Sequence, residues 1–107
     1  MSLEDAARTA VDQCMGLAAD EACVVVTDDQ RRHIGEALYD AACEVTDDAT
    51  VARYPIGDQH GEEPPDPVAA AMESADVVLA PTTKSLSHTR ARSAATEAGV
   101  RAATLPG

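Results

Sequence analysis

Ala22-Cys23-Val24-Val25-Val26-Thr27, closed by Asp28-Asp29, is the stretch on which the fold turns. A short apolar run rich in β-branched residues and bounded by turn formers suits a strand buried on both faces, as in a parallel sheet. Val77-Val78-Leu79-Ala80 is a second run of the same kind. Working outward, Leu3, Ala7, Ala10, Val11 and Cys14 recur at helical spacing, which predicts a helix over 3–15 ending near Gly16. After Thr27, Asp28 or Asp29 can cap a helix whose inner face is Ile34, Ala37, Leu38 and Ala41. Residues 51–56 alternate, with Val51 and Arg53 on one side and Ala52 and Tyr54 on the other, and Pro55 closes the run. This is an edge strand with one wet face.

Residues 57–67 are loop by composition, and Asp66-Pro67 reads as a cap with proline at the first helical position. Val68, Ala71, Met72 and Ala75 form the face of the helix that follows. A last helix carries Ala91, Ala94, Ala95 and Ala98 inward, stops at Gly99, and leads into a mixed strand over 100–105. Helix and strand therefore alternate four times along residues 1–107, a single α/β domain without internal repeat or linker. Such alternation calls for a parallel sheet with right-handed crossovers and helices on both faces, hence three layers. Strands one and three are wholly apolar and central; strands two and four are mixed and lie at the edges. The order 2-1-3-4 follows, a flavodoxin-like, Rossmann-like arrangement. Its switch point falls between strands one and three, beyond whose carboxyl ends ligands gather.

Charge narrows the function classes. Nineteen acidic residues oppose eight basic ones, a net charge of -11, yet 45% of the chain is hydrophobic. The acids are scattered, so they form the solvated surface of a folded object rather than a disordered tail. Seven of the basic residues are Arg and only Lys84 is Lys; Phe and Trp are absent. This composition predicts an acidic, halophilic protein, because salt at about 1 M shortens the Debye length to roughly 3 Å and screens the self-repulsion. The same charge argues against nucleic acid as a partner. Cys14, Cys23 and Cys43 have no ligand spacing and act as small hydrophobes in a reducing compartment. Nothing reads as a leader, and no stretch approaches the ~20 apolar residues of a membrane span, so a cytoplasmic location is expected.

Two loops flank the switch point: Thr27-Asp28-Asp29 and Thr82-Thr83-Lys84-Ser85. Hydroxyls and the lone lysine ahead of a helix suit a carboxylate or phosphate, with His88 near the helix start. Asp28 across the gap would hold an amino group, so a zwitterion spanning Asp28 and Lys84 is one reading of Asp28, Thr82, Thr83, Lys84, Ser85 and His88. The other is structural: Ser85 or Ser87 caps the helix and Lys84 is solvated. The loop lacks the glycines of nucleotide-binding turns. His60 beside Glu62 and Glu63 lacks the converging set a metal needs, and His33 lies in the first turn of its helix, facing solvent. Neither a nucleophile–base pair nor a carboxylate dyad can be placed, so no catalytic or metal-binding residue is assigned.

Three stretches, in this order, carry a family resemblance: Thr27-Asp28-Asp29 with Ile34-Gly35-Glu36-Ala37-Leu38; His60-Gly61-Glu62-Glu63-Pro64-Pro65; and Ala80-Pro81-Thr82-Thr83-Lys84-Ser85-Leu86-Ser87-His88-Thr89, closing with Ala103-Thr104-Leu105-Pro106-Gly107. Across essentially the whole chain they resemble the N-terminal domain of the thermophilic-metalloprotease type of aminopeptidase, the leucyl aminopeptidase-like proteins of archaea. The resemblance implies a metal-dependent exopeptidase, a hydrolase whose divalent-metal ligands stand in a C-terminal catalytic domain. No segment here matches them, so the chain is expected to be either the N-terminal part of a longer aminopeptidase-like protein or a shortened relative that lost its catalytic half, and alone to be inactive and without cofactor. It then contributes scaffold, an oligomer surface or part of the substrate cleft, with a C-terminal domain or a second copy as partner. The alternative is a stand-alone small-ligand binding or assembly module without catalysis.

Overall fold

A computed structural model describes residues 2–55, 63–83, 86 and 89–104. In chain order the elements are α1 (Leu3–Thr9, continued by a π-helical turn over Ala10–Cys14), β1 (Cys23–Asp28), α2 (Arg32–Cys43), β2 (Ala49–Tyr54), α3 (Asp66–Ser74), β3 (Val77–Ala80), α4 (Arg90–Glu97) and β4 (Arg101–Thr104). The four strands form one parallel sheet in the order β2-β1-β3-β4, as the strand character predicted.

All six residues of β1 and all four of β3 are buried, whereas Thr50, Val51 and Arg53 of β2 and Arg101 of β4 are exposed. Side chains alternate across the sheet. Cys23, Val25, Val77 and Leu79 pack with Ala7, Val11, Leu38, Ala41 and Ala42 of α1 and α2. Val24, Val26, Val78 and Ala80 pack with Val68, Met72, Ala91 and Ala95 of α3 and α4. The chain moves one way from β1 to β2 with α2 on one face, then back past β1 to β3 with α3 on the other. Reversing both direction and face keeps one crossover hand throughout, the requirement of twisted strands. The layer next to the sheet is largely alanine, so each helix position buries little apolar area and the larger gains come from Val, Leu and Met72, at about 1.5–3 kcal/mol each.

Several boundaries differ from the sequence reading. The helix expected over 3–15 is α-helical only to Thr9, and Gly16 at φ +60 then ends the π turn, with Leu17 N–H donating to Val11 O at 3.1 Å. Gly99 at φ +90 stops α4 in the same left-handed way. Strand β2 begins at Ala49 because pairing with β1 starts at Cys23, and it ends before Pro55. Pro65 rather than Asp66 takes the N-cap position of α3, and its carbonyl accepts from Val68 and Ala69.

Candidate functional site

The carboxyl ends of β1 and β3 meet at the switch point, and two threonines and an aspartate fill the junction. Thr27, 1% exposed, donates its hydroxyl to Pro81 O at 3.0 Å, across the gap from β1 to the segment after β3. Gly35 in the first turns of α2 lies directly over it: a Cβ there would sit 2.9 Å from Thr27 Cβ and Cγ2. The close approach of helix to strand at this point requires glycine.

Asp28 is 2% exposed. Its Oδ1 accepts from Gln30 N–H and Arg31 N–H, both at 3.1 Å, and from the Thr83 hydroxyl at 3.0 Å. Its Oδ2 accepts from Thr83 N–H at 2.6 Å. One carboxylate thus ties the turn after β1 to the turn after β3, and it faces its own loops rather than solvent. A buried charge persists only when its lone pairs are satisfied in this way. Thr82 is buried beside it at 2% exposure. Of the six residues singled out from sequence, the structure brings Asp28 and Thr83 into direct contact with Thr82 adjacent; Lys84, Ser85 and His88 lie outside the described residues. The expected helix cap is corrected on both sides of the gap. Arg31, not Asp28 or Asp29, holds the N-cap position of α2, and no side chain caps it. Thr89, not Ser85 or Ser87, caps α4, its hydroxyl accepting from Arg92 N–H at 3.1 Å.

A second carboxylate meets α4. Glu63 accepts from Arg90 N–H at 2.7 Å and from Ala91 N–H at 3.1 Å, so Glu63 and Thr89 satisfy the three leading N–H groups of that helix. The chain supplies its own anion to the positive end of the helix. Sequence reading placed Glu63 beside His60 and Glu62 in a weak metal motif and missed this role, since 27 residues separate Glu63 from Arg90. His60 and Glu62 lie outside the described residues, and among those described no group of three or more His, Cys, Asp or Glu side chains could hold a metal ion. His33 is exposed in the first turn of α2.

Away from the junction, a groove of about 340 Å³ between α3 and α4 is lined by Glu63, Asp66, Glu73 and Arg90 among others. An apolar furrow of about 280 Å³ runs between α1 and α2 along Leu3, Ala6, Ala10, Ile34 and Leu38. Neither includes Asp28, Thr82 or Thr83 in its lining. No helix among the described residues is long and apolar enough to cross a membrane. No family model, curated protein or solved structure matches the chain.

Proposed function

We propose that the chain is a non-catalytic α/β domain of a metal-dependent aminopeptidase-like protein, acting as scaffold, oligomer surface or one wall of a substrate cleft. The sequence resemblance supplies the family. The observation that supports a non-catalytic role is the use of Asp28: all four of its hydrogen bonds go to the two loops that frame the switch point. A general base or a substrate-binding carboxylate must offer a lone pair to the reacting molecule. Glu63 is likewise engaged with the chain's own N–H groups. The divalent metal and its ligands belong to a C-terminal catalytic domain, which is the natural partner, with a second copy of this chain as the other. The acidic surface fits a cytoplasm of high salt.

The test is turnover of a leucine amide by the purified chain in the presence of zinc, manganese or cobalt. None is expected. Chelator-sensitive hydrolysis that follows the chain through purification would overturn the reading. Sequence downstream of Gly107 in the gene checks the family part separately: a continuing frame carrying Glu, His and Asp ligands supports it, and an unrelated frame refutes it.

A further inference from the structure

The two edges of the sheet differ. At β4, Arg101 N–H donates inward to Asp76 O at 3.0 Å, so the main-chain groups of the next residue, Ala102, point to the outer edge. Arg92 of α4 donates to Ala102 O at 3.2 Å and closes the middle of that edge. At β2, Cys23 N–H donates to Asp48 O at 2.9 Å, which turns the groups of Thr50, Ala52 and Tyr54 towards β1. The N–H and C=O of Ala49, Val51 and Arg53 therefore face away from the sheet, where no further strand lies. None of these groups has a partner among the described residues.

Three properties of the open edge point to one occupant. The free residues are spaced symmetrically about Val51. An antiparallel copy of β2 centred there sets Val51 against Val51 and Ala49 against Arg53, so each outward N–H meets a C=O and none is left over. Sliding the copies by two residues leaves Ala49 or Arg53 with nothing opposite it in β2. Val51 is also 37% exposed, and with Leu3 it is one of two large apolar side chains left in solvent among the described residues. The central pair covers two such valines at once, a β-branched contact that stabilises antiparallel strands. Charge fits as well. Asp47 has no ion pair among the described residues and lies two positions before Ala49, on the same face of the strand. It falls diagonal to Arg53 of the second copy, within reach of a long side chain, so opposite charges meet at both ends of the pairing.

We propose that β2 is the interface of a homodimer in which two copies of this chain join edge to edge into one continuous sheet. This deepens the oligomer role proposed above and rests on it. Because Arg92 closes the β4 edge, pairing stops at two copies and does not propagate into a fibre. Each copy carries a charge of -11, so association is opposed at low salt and permitted once molar salt screens the repulsion.

The test is sedimentation velocity of the whole chain over a range of protein concentration, from low to molar salt, with amide hydrogen exchange under the same conditions. In molar salt the mass should double with concentration. The amides of Ala49, Val51 and Arg53 should then exchange about tenfold more slowly or less, while that of Ala102 stays unchanged. Val51→Pro costs the single copy no ladder bond, since that N–H faces away from β1, but it removes both central bonds of the dimer. It should be monomeric at every concentration with an unaltered circular dichroism spectrum. Val51→Lys keeps the test open should the proline variant fail to fold, and should weaken the dimer about tenfold by setting like charges opposite each other. A monomer throughout, a dimer without slowed exchange at those three amides, or a dimer unchanged in the variants would overturn the proposal. Leucine-amide turnover and the downstream frame bear on the family alone, so a monomer removes the oligomer role and leaves the scaffold or cleft wall standing.

Discussion

Replacing Asp28 tests whether one carboxylate joins the two halves of the sheet. Asp28→Ala removes the acceptor of Gln30 N–H, Arg31 N–H, Thr83 N–H and the Thr83 hydroxyl together. A hydrogen bond to a charged group contributes about 1.5–3 kcal/mol, and water recovers part of the loss where a donor can rotate or swing outward. Gln30 is exposed and recovers most; Thr83 N–H, at 2.6 Å from a buried oxygen, recovers least. The net cost should be about 3–5 kcal/mol, at the upper end for a single substitution. Against a typical stability of ~5–15 kcal/mol, that is a large fraction. Asp28→Asn is the sharper probe, because it keeps size and shape. Whichever way the amide turns, its NH2 faces main-chain N–H donors, either Thr83 or Gln30 and Arg31, so about 2–4 kcal/mol should still be lost. Urea unfolding followed by far-ultraviolet circular dichroism in molar salt measures both. An Asn variant within about 1 kcal/mol of the parent would refute the reasoning, since packing alone would then explain the burial of Asp28.

Gly35→Ala should destabilise by about 1–3 kcal/mol from overpacking against Thr27, less the ~1 kcal/mol that alanine gains in a helix; a more stable variant in the same urea assay would mean that strand and helix separate freely. Burial, with a smaller contribution from Cys43, pushes the Cys23 thiol from its ordinary value of 9.0 up to about 11, so it stays protonated at neutral pH. A thiol reagent should label exposed Cys14 and Cys43 in the native chain and Cys23 only after unfolding, and rapid native labelling of all three would contradict this. Because the folded value is the raised one, the associated stability is complete below about pH 9 and is lost as pH rises towards 11. Cys23→Ala should flatten that alkaline limb of a pH–stability curve. Melting temperature should climb from low to molar salt as the charge of -11 is screened, and a flat profile would count against the halophilic reading.

Strand order was legible because burial on one or two faces writes itself into local composition. Unbroken apolar β1 and β3 had to lie inside, and β2 and β4, interrupted by Arg53 and Arg101, had to lie outside. Periodicity likewise placed the inner faces of α2 and α3 and, in α4, Ala91 and Ala95, but Ala98, expected inward, is exposed at the C-cap, and the π turn after Thr9 has no counterpart in the spacing of Ala10, Val11 and Cys14. The threonines and Asp28 at the switch point could be read as a polar cluster, but not which way the carboxylate turned. Its partner Thr83 is 55 residues away, and only the parallel register of β1 with β3 brings the two turns together. Glu63 shows the same limit: beside His60 and Glu62 it read only as a loop acid without the converging set a metal needs, while its actual partners are the N–H groups of a helix 27 residues on. Local pattern decides which side chains leave water, because burial depends on each residue's own chemistry; which polar groups then meet depends on distances that exist only after the sheet closes.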